Sequence, residues 1–357
     1  MRPDVRPGRG APENRTPTRF NLKVREVDGD WLDAREDQDG EVPPLRTTVT
    51  VEHPRTIITK NQSPDVGFDR SINPYRGCEH GCIYCFARPS HAYHDLSPGL
   101  DFESRLFAKP DAAKLLRAEL GKKGYQVRPI AMGTNTDPYQ PIEGKWRITR
   151  SILEVLTETK HPVTITTKSD RVTRDIDILG PMAAQGLAGV ALSVTSLTPE
   201  ISRTLEPRAP AARRRLAAVR QLTEAGIPTY VSIAPVVPGI TDHEMEDIVA
   251  AAAGAGAIGV FFLPVRLPFE VAPLFRAWLD EHFPDRAGKV MHIIQSLRGG
   301  RDNDPDFFTR MRGQGPWAQL LRTRFERAVK AHGLNRERRP LRADLFEPPQ
   351  GPQMRLL

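Results

Sequence analysis

Between Ser71 and Pro268 the chain alternates two kinds of apolar pattern. Short β-branched or apolar runs lie at 127–132, 163–167, 187–194, 229–237 and 258–265. Each is five to nine residues long, the length of a buried strand. Between them, apolar residues recur every three or four positions. The stretch 110–120 carries Leu115, Leu116 and Leu120, and 147–159 carries Ile148, Ile152, Leu153 and Leu156. Helices are also expected over 171–185, interrupted at Gly180-Pro181, over 211–225, ended by Gly226, and over 242–253, with Asp242 as candidate N-cap. Strands alternating with helices imply right-handed crossovers and a parallel sheet, hence an α/β fold. A closed eight-unit barrel needs more units than the chain supplies.

The ends read differently. Residues 1–46 hold Pro, Gly, Arg and Asp without a sustained apolar period, and they predict a disordered N-terminal segment. A strand-like run at 47–51 leads into a core expected over 47–268. A helical C-terminal extension with a basic tail is expected over 269–357: helices at 269–283, 287–297 and 317–332, a break at Gly299-Gly300, and a tail from Gly333. In the last helix Leu320, Leu321, Phe325 and Val329 form the apolar stripe that packs on the core.

Charge adds one feature. The net charge is +7, and residues 298–357 carry 13 Lys+Arg against 7 Asp+Glu, so +6 of the net +7 lies there. Such a region is either an electrostatic footprint for nucleic acid or a solvated basic face. No run approaches the roughly 18 apolar residues that span a bilayer, so no membrane partner is expected. With no apolar secretory segment at its start, the chain is assigned to the reducing cytoplasm.

All three cysteines fall within eight positions, Cys78-Glu79-His80-Gly81-Cys82-Ile83-Tyr84-Cys85, spaced C-x3-C-x2-C. Soft thiolates at this spacing suit an iron–sulfur cluster or zinc. A [4Fe–4S] cube with three cysteine ligands keeps one iron open, and open positions mark chemistry. A zinc site would recruit His80, His91 or His94 as fourth ligand.

The loop together with Asn73-Pro74-Tyr75-Arg76-Gly77 before it and Tyr84 inside it resembles the radical S-adenosylmethionine (SAM) superfamily. The resemblance implies a partial, open (β/α)6 barrel. It implies a [4Fe–4S] cluster on Cys78, Cys82 and Cys85 that chelates SAM, with Tyr84 beside the cofactor. One electron, from a donor such as a flavodoxin or ferredoxin, then cleaves SAM to methionine and a 5′-deoxyadenosyl radical that abstracts hydrogen from substrate. Asn-Pro-Tyr-Arg-Gly-Cys with Cys-Phe-Ala-Arg narrows the resemblance to the spore photoproduct lyase branch, which carries a DNA-repair-photolyase label by similarity.

Sites of parallel sheets form at the carboxyl ends of strands. After 127–132 come Thr134, Asn135, Thr136 and Asp137, which either meet the SAM amino group or form an ordinary Asn/Asp/Pro turn. Lys168 after 163–167 either snorkels or faces the SAM carboxylate. Ser193 and Thr195 end the next strand, as ligands of SAM or as caps. Glu206 and Arg208 are candidate partners for each other or for SAM. Ala234, on the strand at 229–237, lies where the superfamily holds adenine.

Three functions follow: a radical SAM enzyme acting on nucleic acid, one acting on a protein or small molecule, and a non-catalytic nucleic-acid-binding protein held by a metal. The lyase of this branch uses a further cysteine, outside the cluster motif, to return a hydrogen atom. Here every cysteine lies inside the motif, so efficient repair of the spore photoproduct is not expected. Tyr139 and Tyr230 are the alternative O–H donors near expected strand ends.

Overall fold

A computed structural model describes residues 8–15, 17, 45–336 and 339–349. Ten strands are present among them: β1 (Thr48–Val51), β2 (Ile58–Lys60), β3 (Arg70–Ile72), β4 (Tyr75–Arg76), β5 (Arg105–Ala108), β6 (Ile130–Met132), β7 (Val163–Thr167), β8 (Ala188–Ser193), β9 (Thr229–Val236) and β10 (Gly259–Pro264). The larger sheet runs β10-β9-β8-β7-β6-β3-β2. Six neighbours, β3 and β6 through β10, are parallel, and β2 adds an antiparallel edge. β2 and β10 are not paired with each other, so the sheet stays open as expected.

The crossovers are the amphipathic helices that the periodicity predicts. Ile148–Glu158 buries Ile148, Ile152, Leu153, Val155 and Leu156 on one side. Each such aliphatic side chain contributes about 1.5–3 kcal/mol on leaving water. β7 and β8 have burial patterns with fully covered alternate or consecutive positions, as strands beneath helices must. Three local readings are corrected. Pro181 lies inside Ile176–Ala184, which runs past the expected Gly-Pro interruption. Asp242 is not a helix cap: its carboxylate accepts from Gly239 N at 2.7 Å and closes the preceding turn. Leu320 is exposed, and Leu321 alone of that pair reaches the core.

A second, three-stranded sheet, β1-β5-β4, was not legible in the sequence. Its antiparallel β4–β5 ribbon is the base from which the cysteine loop rises. The helices Val271–His282 and Pro284–Leu297 form a second apolar cluster with Ile83, Tyr84, Leu205 and Val237. Trp278 Nε1 donates to Thr204 O at 3.0 Å within it. The helix Gly315–Ala331 packs on the main core, with Phe325 4.8 Å from Phe262 between ring centroids. Residues 339–347 cross the back of the molecule, where Arg342 N donates to Gly186 O and Glu347 N to Thr159 O.

Of the segment 1–46, residues 9–11 lie against the cysteine loop. Gly10 N and Ala11 N donate to the Glu103 carboxylate at 2.9 and 2.8 Å. A Cβ on Gly10 would fall 1.6 Å from Gly81 O, so only glycine permits this approach. The rest of that segment, apart from residues 8–15, 17, 45 and 46, lies outside the described residues. No helix among the described residues is long and apolar enough to cross a membrane.

Candidate active site

The cysteine loop leaves β4 through Gly77, whose φ is +72°. A side chain there would strike Leu106, Phe102 O and His91 at under 3 Å. Cys78 N then donates to Phe102 O at 3.0 Å, and Cys85 N to Cys82 O at 3.2 Å. Beneath the loop the fully buried Arg88 spends all five of its donors. They reach Cys82 O, Gly81 O, Pro98 O, Gly99 O and Glu103 Oε1 at 2.5–3.1 Å. This gives the Arg of Cys-Phe-Ala-Arg a mechanical role: one planar guanidinium fixes the loop's carbonyls.

The Asn-Pro-Tyr-Arg-Gly phrase is tied to the turn after β6. Asn73 bonds Thr134 Oγ1 at 3.0 Å and accepts from Asn135 N at 2.9 Å. Thr136 Oγ1 donates to Gly77 O at 2.6 Å. Tyr75 donates its hydroxyl to the buried Glu143. Gln140, fully buried, accepts from Glu79 N at 2.9 Å and donates to Gly77 O at 3.2 Å. Thr134, Asn135 and Thr136 are therefore engaged in holding the two loops together. Gln140 and Arg88 were missed as site residues. The only sequence signal for them is their position inside or just beyond the two motifs.

Asp137 joins the turn to β7. It accepts from Thr167 Oγ1 at 2.6 Å, Lys168 N at 2.8 Å and Tyr139 N at 2.9 Å. His80 Nδ1 stands 3.3 Å from Oδ2, the oxygen that also accepts from Lys168 N, without the geometry of a hydrogen bond. Burial works against the carboxylate, but His80 and these donors outweigh it and hold the pKa down at about 2.

Beside Cys82 a second polar group is assembled from the cysteine loop, the end of β8 and the two helices that follow it. Glu206 accepts from the Tyr84 hydroxyl, from Thr195 Oγ1 at 2.5 Å and from the Arg215 guanidinium. Burial opposes its charge, yet Arg215, Lys168 and the two hydroxyls hold its pKa at about 2. Arg215 also donates to Ser193 O at 3.0 Å, so Ser193 is held by its carbonyl. Glu206 and Arg208 are thus not each other's partners, which corrects the sequence reading. Arg215 lies one helical turn inside the basic helix and reaches back to Glu206, whereas Arg208 pairs with Glu79 at 3.1 Å.

Lys168 is half-buried, with its Nζ 5.6 Å from the Tyr84 ring centroid. Burial disfavours its charge, but Cys82 and Glu206 nearby raise its pKa. It forms no ion pair among the described residues. Ala234 lies one strand away, two residues beyond Ser232, the partner of Ser193. The structure therefore brings Tyr84, Lys168 and Thr195 together around Glu206, with Asp137 joined through Lys168 N. Thr134 and Asn135 are set toward Asn73, and Ser193 and Ala234 lie on adjoining strands.

The three thiols suit a cluster. Burial pushes Cys82 up to about 12 against the pull of Lys168, and burial with Asp137 and the other two cysteines raises Cys78. Buried neutral thiols become ligands when a metal displaces their protons. Among the described residues no three His, Cys, Asp or Glu side chains converge so as to hold a single metal ion. A cube instead takes each thiolate on a different iron. The histidines weighed for zinc are otherwise engaged: His91 Nε2 donates to Arg105 O at 2.9 Å, His94 packs on Phe107, and His80 faces Asp137.

The chain matches the family described as the Radical SAM superfamily over residues 72–252. It belongs to the radical SAM superfamily. An uncharacterised protein of Mycobacterium tuberculosis is 36% identical over 230 residues, which cover 64% of this chain and 68% of that protein. An uncharacterised protein of Methanocaldococcus jannaschii is 30% identical over 173 residues, covering 48% of this chain and 62% of its own. Among solved structures, spore photoproduct lyase complexed with dinucleoside spore photoproduct superimposes with a TM-score of 0.55 at 15% identity. That match covers 85% of this chain and 92% of the lyase. A variant of that lyase with bound AdoMet gives the same values. The protein is thus a radical SAM enzyme with the lyase's fold, and its cofactors are a [4Fe–4S] cluster and SAM.

Of the tyrosines considered as hydrogen donors, Tyr139 is fully buried and donates to Asp175 at 3.0 Å. Tyr230 lies at the start of β9, the opposite end from the site. Neither is placed to serve a radical: Tyr139 is committed to Asp175 and Tyr230 lies at the amino end of its strand.

Proposed function

We propose that Cys78, Cys82 and Cys85 hold the cluster and that Lys168, Tyr84, Thr195 and Asp137 form the adjoining SAM pocket, with Ser193 and Ala234 on its β8–β9 wall. The observation that carries this reading is Lys168, a raised-pKa ammonium without an ion pair beside Cys82. An unpaired cation in a partly buried site favours a carboxylate ligand, and SAM carries one. When bound, the cluster supplies the electron that cleaves SAM to methionine and a 5′-deoxyadenosyl radical. The chain's own residues orient SAM: Glu206 fixes the Tyr84 and Thr195 hydroxyls, and Asp137 fixes the backbone of Lys168. The apolar cover from Ile83, Val237 and the two extension helices keeps water from that flank.

The substrate reading is a nucleic acid, attacked by hydrogen abstraction. Its support is the fold shared with a lyase solved with a dinucleoside lesion. The lesion itself is not the expected substrate, since all three thiols are assigned to the cluster. The test is 5′-deoxyadenosine release by reconstituted protein with SAM and dithionite, with and without DNA or RNA oligonucleotides. Acceleration by an oligonucleotide is expected. Release that no nucleic acid accelerates would favour a protein or small-molecule substrate. Multiple-turnover conversion of the spore photoproduct to thymine would contradict the thiol assignment.

A further inference from the structure

Two groups of basic residues bear on a polyanionic or acidic partner. In the C-terminal region several are engaged within the molecule. Arg310 pairs with Asp65, Arg324 with Glu246 and Arg342 with Asp344. Arg298, fully buried, donates to Pro264 O, Val265 O and Arg310 O. A second set lines two adjoining cavities of about 440 and 480 Å³ on the carboxyl-end rim of β6, β7 and β8. Arg171 lines both, so their surface is continuous. Six arginines, Arg147, Arg171, Arg174, Arg208, Arg213 and Arg214, face these cavities against one acid, Asp170. Arg174, Arg208 and Arg214 have carboxylate partners. Arg147, Arg171 and Arg213 are exposed and form no ion pair among the described residues.

His80, which lies between Cys78 and Cys82 in the chain, lines the first cavity. Arg208 bonds the loop twice, through its backbone N–H to His80 O at 3.3 Å and through its guanidinium to Glu79. The basic rim therefore abuts the cysteine loop. It lies on the carboxyl-end rim, with Arg213 and Arg214 opening the helix Ala212–Glu224 and Arg171 in the turn after β7. Its contact with the loop that carries the three thiols, through His80 and Arg208, places it for electron entry.

We infer that this arginine rim docks the reductant, an acidic one-electron carrier protein with a flavin or iron–sulfur centre. The inference rests on the cluster assignment above and adds where the electron enters. No cysteine lies outside the cluster motif, so no second iron–sulfur centre can relay the electron from elsewhere in the chain. In the step itself the carrier is oxidised by one electron and the cluster is reduced by one. No bond forms or breaks, and no proton moves. Charge complementarity speeds encounter and makes it salt-dependent. Phosphate-bearing nucleic acid is the competing occupant of an arginine surface.

The experiment uses full-length reconstituted protein, reduced flavodoxin as the acidic carrier, and the variants Arg171→Glu, Arg213→Glu and the double change. Arg213 lies in the first turn of its helix, where a carboxylate is favourable, so its variant is expected to fold. Flavodoxin affinity, read by calorimetry in graded salt, should fall at least tenfold in the double variant, and its salt dependence should flatten. Flavodoxin-driven SAM cleavage should fall with it, while dithionite-driven cleavage stays at the wild-type rate. Dithionite-driven cleavage by the wild type checks the cluster assignment separately. Unchanged flavodoxin affinity in the double variant would overturn the docking site. So would unchanged flavodoxin affinity accompanied by lost binding of a DNA or RNA oligonucleotide, which would assign the rim to nucleic acid.

Discussion

Two buried ion pairs flank the cysteine loop, and they differ in what remains unbonded. Under the loop, Arg88 has five donors and five acceptors, and Glu103 meets Arg88 and two backbone N–H groups. Beside the loop, Glu206 is similarly enclosed by Arg215, Tyr84 and Thr195, but Lys168 adjoins it without an ion pair. The first pair is saturated and has no capacity left for a ligand. The second carries an excess cation next to Cys82. Burying a charge costs several kcal/mol unless it is compensated. A saturated pair therefore acts as scaffold, and an excess charge beside it marks where a charged ligand completes the site.

Removing any of Cys78, Cys82 or Cys85 as alanine lies outside both pairs and should have the largest effect. Iron binding and SAM cleavage should be lost together, as checked by iron analysis and 5′-deoxyadenosine release. Next, Glu103→Ala leaves the Arg88 charge buried without its partner and should cost about 3–5 kcal/mol of stability by chemical denaturation. A loss under about 1 kcal/mol would break the claim that this pair is scaffold. Lys168→Met should do the reverse. It should leave stability near wild type and weaken SAM by about 1.5–3 kcal/mol, roughly ten- to a hundredfold, in a cluster-loaded variant. Equal effects of the two variants on SAM affinity would erase the contrast.

The smallest expected effect sharpens the comparison from the back of the sheet. His161 is fully buried, accepts from the Tyr125 hydroxyl at 2.9 Å, donates to Pro162 O and packs on Phe346 of the C-terminal strap. Burial lowers its pKa to about 4 from the ordinary 6.5. Below pH 6.5 the unfolded chain takes up this proton and the folded one does not, so stability falls as pH falls toward 4. At pH 5.5 the loss is about 1.4 kcal/mol. Wild type should lose that much more than His161→Gln between pH 7.5 and 5.5, with no change in relative SAM affinity. Parallel curves would remove His161 as the cause.

The strand–helix alternation was legible because the parallel strands are short apolar or β-branched runs set between helical periods. The run at 163–167 coincides with β7, and 258–265 brackets β10. β4 and β5 were not legible: β4 is two residues long and gains its meaning only from pairing. The three cysteines were legible as candidate metal ligands from their spacing, and the resemblance narrowed the metal to an iron–sulfur cluster. Arg215 was not, because its charge reads as part of an exposed basic face until the helix is placed against Glu206. Asn73 and Gln140 were opaque for the same reason: their partners, Thr134 and Glu79, are 61 residues away in each case. Long-range pairing also engages Arg310 and Arg324, whose charges composition left open between a polyanion footprint and a solvated face.

The central claim is that the three-cysteine loop and the unpaired Lys168 build a SAM-cleaving centre. Its most direct measurement is anaerobic reconstitution, followed by metal analysis and 5′-deoxyadenosine quantitation with SAM and dithionite. The account predicts about four irons and four sulfides per chain, oxygen sensitivity, and 5′-deoxyadenosine release that requires all three cysteines. One air-stable zinc per chain, with no 5′-deoxyadenosine formed, would contradict it.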